Sequence, residues 1–122
     1  TFGIYLLNLT MQHLLDLGGL SEVEKINAKK ASTLYSIIDG SGGFYKGHAR
    51  ADSRSDMNVS FTIPKDHALE PVFVEEALKE GMLGLKGHRH LGGIRASIYN
   101  AVSQSDVEKL GEFMREFARK HG

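Results

Sequence analysis

The segment from Thr1 to Leu17 most constrains how this chain can fold, because its pattern predicts a helix with apolar side chains on almost every side. The apolar residues that surround the helical wheel are Phe2, Leu6, Leu7, Leu9, Met11, Leu14, Leu15 and Leu17. Gly18 and Gly19 end the helix, since glycine adopts the left-handed conformation that closes many helices. A helix that is apolar all round is buried or packed against a second body. In a chain of 122 residues, we expect it to pack against a partner domain.

The rest of the chain alternates helical and strand patterns. Ser21 and Glu24 have the spacing of a capping box for a second helix, which ends near Asp39–Gly40. The elements predicted after it are a strand at 44–46, a loop at 47–56, a strand at 57–63, a helix at 70–81, strands at 82–86 and 94–100, and a helix capped by Ser105 and Glu108. The side chains expected inside the three helices are Val23, Ile26, Ala31, Leu34 and Ile38, then Val74, Ala77 and Leu78, then Val107, Leu110, Met114 and Phe117. This order predicts an α+β fold with an antiparallel or mixed sheet packed by helices.

Composition narrows the classes of function. With 41% hydrophobic and 25% charged residues, the chain suits one compact domain. Lys plus Arg and Asp plus Glu both number 15, and this zero net charge disfavours a nucleic-acid-binding domain. The sequence contains no run of ~18 apolar residues, so we expect no membrane span. The absence of cysteine favours a reduced compartment, and we expect a cytoplasmic or plastid protein.

One basic segment indicates a binding function. Between Gly81 and Ser105 the chain has the cations Lys86, Arg89 and Arg95 together with two histidines, but no acidic residue. Arginine offers a planar fork of donors that matches a carboxylate or a phosphate, and histidine adds another donor. The segment therefore predicts an anion site. We find no nucleophile–base pair, no metal-ligand spacing and no phosphate-binding P-loop.

The strand pattern suggests how this site is arranged. If residues 94–99 are extended, Arg95 shares one face with Ser97 and Tyr99 and points away from the apolar face. His88 and Arg89 would lie on the preceding turn, so two anionic groups could be bound one ligand-length apart. The residues alone leave a second interpretation open, in which these are solvated side chains beside an ordinary Gly-Gly turn.

The segment Gly84–Val102, GLKGHRHLGGIRASIYNAV, resembles the signature near the C-terminus of phosphoserine aminotransferases. Arg54-Ser55 followed by Met57–Val59 resembles the family's Arg-Ser-x-Met-Asn strand, and Thr1–Tyr5 resembles the start of a family helix. The resemblance covers essentially the whole chain. It departs from the family at His90 and Leu91, where serine and valine are usual.

This resemblance implies the C-terminal small domain of a fold type I, pyridoxal-phosphate-dependent aminotransferase. Residues 1–20 would form an inter-domain helix that packs against a large domain, and residues 21–122 would form the small domain. The implied reaction converts 3-phosphohydroxypyruvate and L-glutamate to O-phospho-L-serine and 2-oxoglutarate in serine biosynthesis, in a homodimer. Arg95 would bind the substrate α-carboxylate. His88 and Arg89 would bind the phosphate, or the side-chain carboxylate of glutamate.

The family's catalytic groups have no counterpart here. The Schiff-base lysine of the family lies in an Ala-Gln-Lys-Asn-like segment, which this sequence lacks. We expect the helical lysines to be solvated surface residues: Lys25, Lys29, Lys30, Lys79, Lys109 and Lys120. The resemblance thus implies no catalytic, cofactor-binding or metal-binding residue in this chain and no activity of the chain alone. The alternative is a stand-alone module that binds an anionic, phosphorylated metabolite.

Overall fold

The computed structural model describes all residues from Thr1 to Gly122 and contains four α-helices and one four-stranded sheet. The helices are α1 (Phe2–Asp16), α2 (Leu20–Asp39), α3 (Leu69–Lys79) and α4 (Gln104–His121). The strands are β1 (Lys46–Gly47), β2 (Asn58–Thr62), β3 (Lys86–His88) and β4 (Gly92–Ser97). The sheet order is β1-β2-β4-β3, and all neighbouring strands are antiparallel. The predicted α+β class is confirmed.

The core lies between one face of the sheet and helices α2, α3 and α4. In the central pair of strands, Val59 lies opposite Ala96 and Phe61 lies opposite Ile94, and all four side chains are buried. Phe73 on α3 is fully buried, with its ring centre 5.0–6.0 Å from those of four other aromatic residues, Tyr45, Phe61, Phe113 and Phe117. The inner stripe predicted for α4 is buried throughout: Val107, Leu110, Met114 and Phe117.

Helix α1 forms as predicted, but the core of this chain does not cover it. None of its residues is buried, and Phe2 and Ile4 are 72% and 73% exposed. Gly18 and Gly19 follow with φ of 113° and 86°, the left-handed region that glycine favours. None of the four helices is long and apolar enough to cross a lipid bilayer.

Both predicted capping boxes are wrong. Helix α2 begins one residue before Ser21, with Gly19 as its N-cap and no side-chain cap. Helix α4 is capped by Ser103, whose Oγ accepts a hydrogen bond from the backbone N–H of Asp106 at 3.1 Å. In both helices the turn that precedes the first helical residue fixes the helix start. Ser21 and Ser105 each lie two residues after the observed N-cap and therefore do not cap these helices.

Several predicted strand and core positions also need correction. The strand expected at 82–86 is β3, which begins only at Lys86, because the chain turns at Gly84 with φ of 73°. The strand expected at 44–46 begins only at Lys46, the first residue of β1. Phe44 lies before the strand, and its side chain is buried in the core. On α3 the buried apolar residues are Phe73 and Ala77, and Leu78 is 54% exposed. On α2, Ile26 is 40% exposed and lines a groove against α1.

Candidate anion-binding site

The hairpin formed by β3 and β4 positions the predicted site residues. His88 lies at the end of β3 opposite Gly92, and Arg89 lies in the turn that follows. The two strands approach so closely that a Cβ atom on Gly87 would be 2.1 Å from the carbonyl oxygen of Gly92. Only glycine fits at position 87, so Gly87 is needed for the geometry of the hairpin.

Arg95 lies on the outer face of the sheet, as the alternation predicted. Ile94, Ala96 and Ile98 are almost fully buried, whereas Arg95 is half-buried opposite Ser60 of β2. The Nε atom of Arg95 is shielded from solvent and has no hydrogen-bond partner. Arg95 takes part in none of the chain's ion pairs. A guanidinium in this state has donors available for an anion.

His88 is oriented by the residue two positions later. The backbone N–H of His90 donates to Nδ1 of His88 at 3.2 Å. Since a backbone N–H only donates, Nδ1 must be unprotonated, and the neutral ring carries its proton on Nε2. The two imidazole rings lie 5.5 Å apart between centres and are tilted by 42°. His88 therefore presents an N–H donor at the exposed end of β3.

His88 and Arg89 line a groove of about 900 Å³ between the hairpin and α3. The α3 side of this groove includes Glu70. Its carboxylate is already engaged, because Oε2 accepts from the backbone N–H of Ile63 at 2.8 Å and lies 2.9 Å from Nδ1 of His67. Glu75, the other acidic residue of the groove, lies 3.6 Å from Nζ of Lys79, so neither carboxylate is paired with a cation of the hairpin.

The structure brings the three predicted residues onto one hairpin but not into one cavity. Arg95 does not line the groove that contains His88 and Arg89. Arg95 lies three residues along β4 from Gly92, and Gly92 is the pairing partner of His88. In an extended strand this spacing separates the backbones of Gly92 and Arg95 by about 10 Å. The expectation of two anion contacts one ligand-length apart is compatible with this spacing, and the roles of the three residues remain predictions.

Lys30 was predicted to be a solvated surface lysine, and this prediction is wrong. It is fully buried, and its Nζ donates to the carbonyl oxygens of Val102 at 2.8 Å and Tyr99 at 2.9 Å. Burial lowers the pKa of the Lys30 ammonium. The signal that could have placed it is helical spacing, since Asn27, Lys30 and Leu34 all lie on the buried stripe of α2.

No lysine of this chain is suited to hold pyridoxal phosphate. A Schiff-base lysine needs a free amine in a desolvated site. Lys30 is buried, but its ammonium is bound by backbone carbonyls. All other lysines are exposed, including Lys86 beside the anion residues. The residues present therefore do not fit the cofactor.

The family model described as "Aminotransferase class-V" matches residues 1–110. The chain therefore belongs to the class-V aminotransferase family. Within that family the chain is similar to phosphoserine aminotransferases. The one from Campylobacter lari is 60% identical over 121 residues, which are 99% of this chain and 34% of that protein. The chain thus spans about a third of the length of the curated relatives it matches, and it corresponds to their C-terminal part.

Solved structures agree with this assignment. The phosphoserine aminotransferase from Bacillus circulans subsp. alkalophilus matches with a TM-score of 0.95 and 50% identity, over 99% of this chain and 33% of that one. The pyridoxal-phosphate-bound phosphoserine aminotransferase from Trichomonas vaginalis matches with a TM-score of 0.86 and 33% identity, over 94% of this chain and 33% of that one. The fold expected from the resemblance is confirmed.

Proposed function

We propose that this chain is the substrate-recognition part of a phosphoserine aminotransferase. The reaction transfers the amino group of L-glutamate to 3-phosphohydroxypyruvate and yields O-phospho-L-serine and 2-oxoglutarate for serine biosynthesis. The observation that carries the proposal is the β3–β4 hairpin, which presents Arg95, His88 and Arg89 within the segment that resembles the family signature. A cytoplasmic homodimer completes the proposal, as the resemblance implies.

Arg95 binds the α-carboxylate that every substrate of this reaction has. Its guanidinium has no carboxylate partner within the chain, and its half-buried position on the sheet reduces screening by water. Charge-assisted hydrogen bonds from a planar fork fix the direction as well as the position of a carboxylate. Arg95 therefore orients the α-carbon for the transfer of the amino group.

His88 and Arg89 bind the second anionic group, which is the phosphate of phosphoserine or the side-chain carboxylate of glutamate. The Nε2–H of His88 and the guanidinium of Arg89 are exposed at the hairpin end, where no acidic residue lies nearby in sequence. Two neighbouring donors suit a ligand with several acceptor oxygens. One pair of residues could thus serve both half-reactions.

The chemical step needs a cofactor that this chain does not hold. Pyridoxal phosphate, when bound, supplies the electron sink for amino-group transfer. Because no lysine here fits a Schiff base, we expect the isolated chain to show no turnover of phosphoserine and 2-oxoglutarate with added pyridoxal phosphate. Sustained turnover by the chain alone would contradict the proposal.

Residues 1–20 are proposed to pack against the large domain, and residues 21–122 to form the small domain. The support is the exposure of α1, whose apolar side chains this chain leaves uncovered. Such a surface disfavours a stand-alone metabolite-binding module. The isolated chain should self-associate in sedimentation experiments. The double variant Leu6→Glu, Leu9→Glu should reduce this self-association. Unchanged association would argue against the role of α1.

The proposed site is tested by steady-state kinetics of the complete polypeptide that contains this chain. Arg95→Ala should raise KM roughly ten- to a hundredfold for both glutamate and 3-phosphohydroxypyruvate, the usual effect of losing a charged hydrogen bond. The double variant His88→Ala, Arg89→Ala should affect the phosphorylated substrate by a similar factor. Lys65→Ala, an exposed lysine outside the site, is the matched control. Unchanged KM values in both site variants would refute the proposal.

A further inference from the structure

The end of the family-like segment, residues 99–102, contributes no group to the anion site, yet a buried side chain of α2 binds it. The Nζ atom of Lys30 lies 2.8 Å from the carbonyl oxygen of Val102, 2.9 Å from that of Tyr99 and 3.4 Å from that of Ile98. An ammonium has three N–H donors, and three carbonyl oxygens surround this one. The side chain is fully buried. Lys30 therefore binds the main chain of this turn rather than any particular side chain.

Lys30 has no counterion. It takes part in none of the chain's ion pairs, so the three carbonyl dipoles are its only polar partners. A buried charge without an opposite charge is unfavourable unless its hydrogen bonds are complete. Loss of any one carbonyl would make the burial costly, so the ammonium and the turn fix each other's positions.

A second contact between α2 and the turn reinforces the first. The Nδ2 atom of Asn27 donates to Oδ1 of Asn100 at 2.9 Å. Asn27 lies three residues before Lys30, so both side chains leave the same face of α2. Two polar contacts from one helix face thus determine where the turn lies.

The turn at residues 99–102 begins where the strand that carries Arg95 stops making hydrogen bonds with its neighbouring strands. The backbone N–H of Arg95 donates to the carbonyl of Leu85 at 2.8 Å, and that of Ile98 donates to Met57 at 2.8 Å. No backbone hydrogen bond links residues 99–102 to another strand. Beyond Ile98, the contacts from Lys30 and Asn27 take the place of the sheet.

We propose that Lys30 is a positioning residue for Arg95, because it anchors the C-terminal end of the strand from which the Arg95 side chain projects. Without the ammonium, the carbonyl groups of Ile98 and Val102 lose this partner, and the carbonyl of Tyr99 keeps only the N–H of Val102. The strand end must then move or admit water to satisfy them. A shift of the strand end tilts Arg95 on the outer face and displaces its guanidinium from a bound carboxylate. This inference rests on the proposed role of Arg95 in binding carboxylates.

The test is a double-mutant cycle in the complete polypeptide, with the variants Lys30→Met, Arg95→Ala and the combination. Lys30→Met should raise KM for glutamate and for 3-phosphohydroxypyruvate by about three- to tenfold, less than complete loss of a charged contact. It should have little further effect when Arg95 is already alanine. Lys29→Met, at the adjacent exposed position, is the matched control and should leave KM unchanged.

Different results of this test would contradict the role of Lys30 and the role of Arg95. A lower melting temperature with unchanged KM in Lys30→Met would overturn the inference. The inference would also be overturned if the change in KM of the double variant equals the product of the changes in the two single variants. Unchanged KM in Arg95→Ala would instead refute the carboxylate site itself. If Lys30→Met does not fold, Lys30→Gln is measured in its place. Glutamine is too short to reach all three carbonyls, so an unchanged KM would again overturn the inference.

Discussion

The backbone N–H of His90 donates to Nδ1 of His88 across 3.2 Å, and this bond determines which ring nitrogen of His88 carries the proton. The donor belongs to the main chain, so any residue except proline can provide it at position 90. The His90 side chain is exposed and is not needed for this bond. The departure from the family pattern at position 90 therefore leaves the orientation of His88 intact.

Substitutions at position 90 should separate the main-chain role from the side-chain role. His90→Ala keeps the N–H and should change the affinity for O-phosphoserine by less than about twofold, as for an ordinary surface substitution. His90→Pro removes the N–H and should weaken affinity about tenfold, because His88 is no longer held in one tautomer. Titration calorimetry on the complete polypeptide measures both, and ¹⁵N NMR of His88 reports the tautomer. Equal losses in the two variants would contradict the main-chain role.

Gly87→Ala should disrupt the β3–β4 hairpin. A Cβ atom would lie 2.1 Å from the carbonyl oxygen of Gly92, and because that atom belongs to the main chain, no rotamer change can relieve the clash. We expect a loss of about 1–3 kcal/mol in the free energy of unfolding, the usual range for overpacking, together with loss of anion binding. Urea denaturation of the chain checks the first effect. Gly3→Ala, where a Cβ atom meets nothing within 4 Å, should not destabilise the chain.

The sequence predicted those parts of the fold that depend on local periodicity. Alternation placed Val59 and Phe61 on the buried face of β2, and it placed Arg95 on the outer face of β4. The predictions that failed concern where elements begin, which turns set rather than periodicity. The start of β3 follows the turn at Gly84, and the first residues of α2 and α4 follow the turns that hold Gly19 and Ser103.

In the candidate site, too, the local pattern was sufficient for some residues and not for others. Residue types and the family resemblance were sufficient to select His88, Arg89 and Arg95 from the sequence. The burial of Lys30 was not predicted, because its carbonyl partners lie about 70 residues further along the chain. A lysine on a helix is usually solvated. Helical spacing could have placed Lys30 on the buried stripe of α2, but it does not identify the carbonyl groups that bind its ammonium.

Phe73 should be among the most sensitive positions for stability. It is fully buried and lies in edge-to-face contact with Phe61 and Phe117 at 5.8 and 5.0 Å. Phe73→Ala should lower the free energy of unfolding by about 3–5 kcal/mol, and Phe73→Leu by less, because leucine leaves a smaller cavity. Phe2→Ala, at an exposed position of α1, should change it by less than about 0.5 kcal/mol. Urea denaturation of the isolated chain measures all three, and similar losses at positions 2 and 73 would contradict the assigned core.

Arg54 connects the loop before β2 to the end of α2. Its guanidinium donates two hydrogen bonds of 2.7 Å to the carboxylate of Asp39, and its centre lies 4.6 Å from the ring centre of Tyr35. The Tyr35 hydroxyl in turn donates to the carbonyl of Ser55 at 2.7 Å. These contacts place the loop against the helix, and the bidentate pair makes Asp39 sensitive to protonation.

The Asp39–Arg54 pair should produce a distinct acid-dependent loss of stability. The hydrogen bonds from Arg54 lower the pKa of Asp39 below its unfolded-state value of about 3.9. The stabilisation is therefore fully present above that value and is lost as pH falls through the lower, folded-state pKa. Urea denaturation of the chain between about pH 2 and 6 should show this loss in the wild type but not in Asp39→Asn. Asp52→Asn, which alters the exposed Arg50–Asp52 pair, should follow the wild-type curve, and an Asp39→Asn curve parallel to the wild type would show that the pair does not contribute.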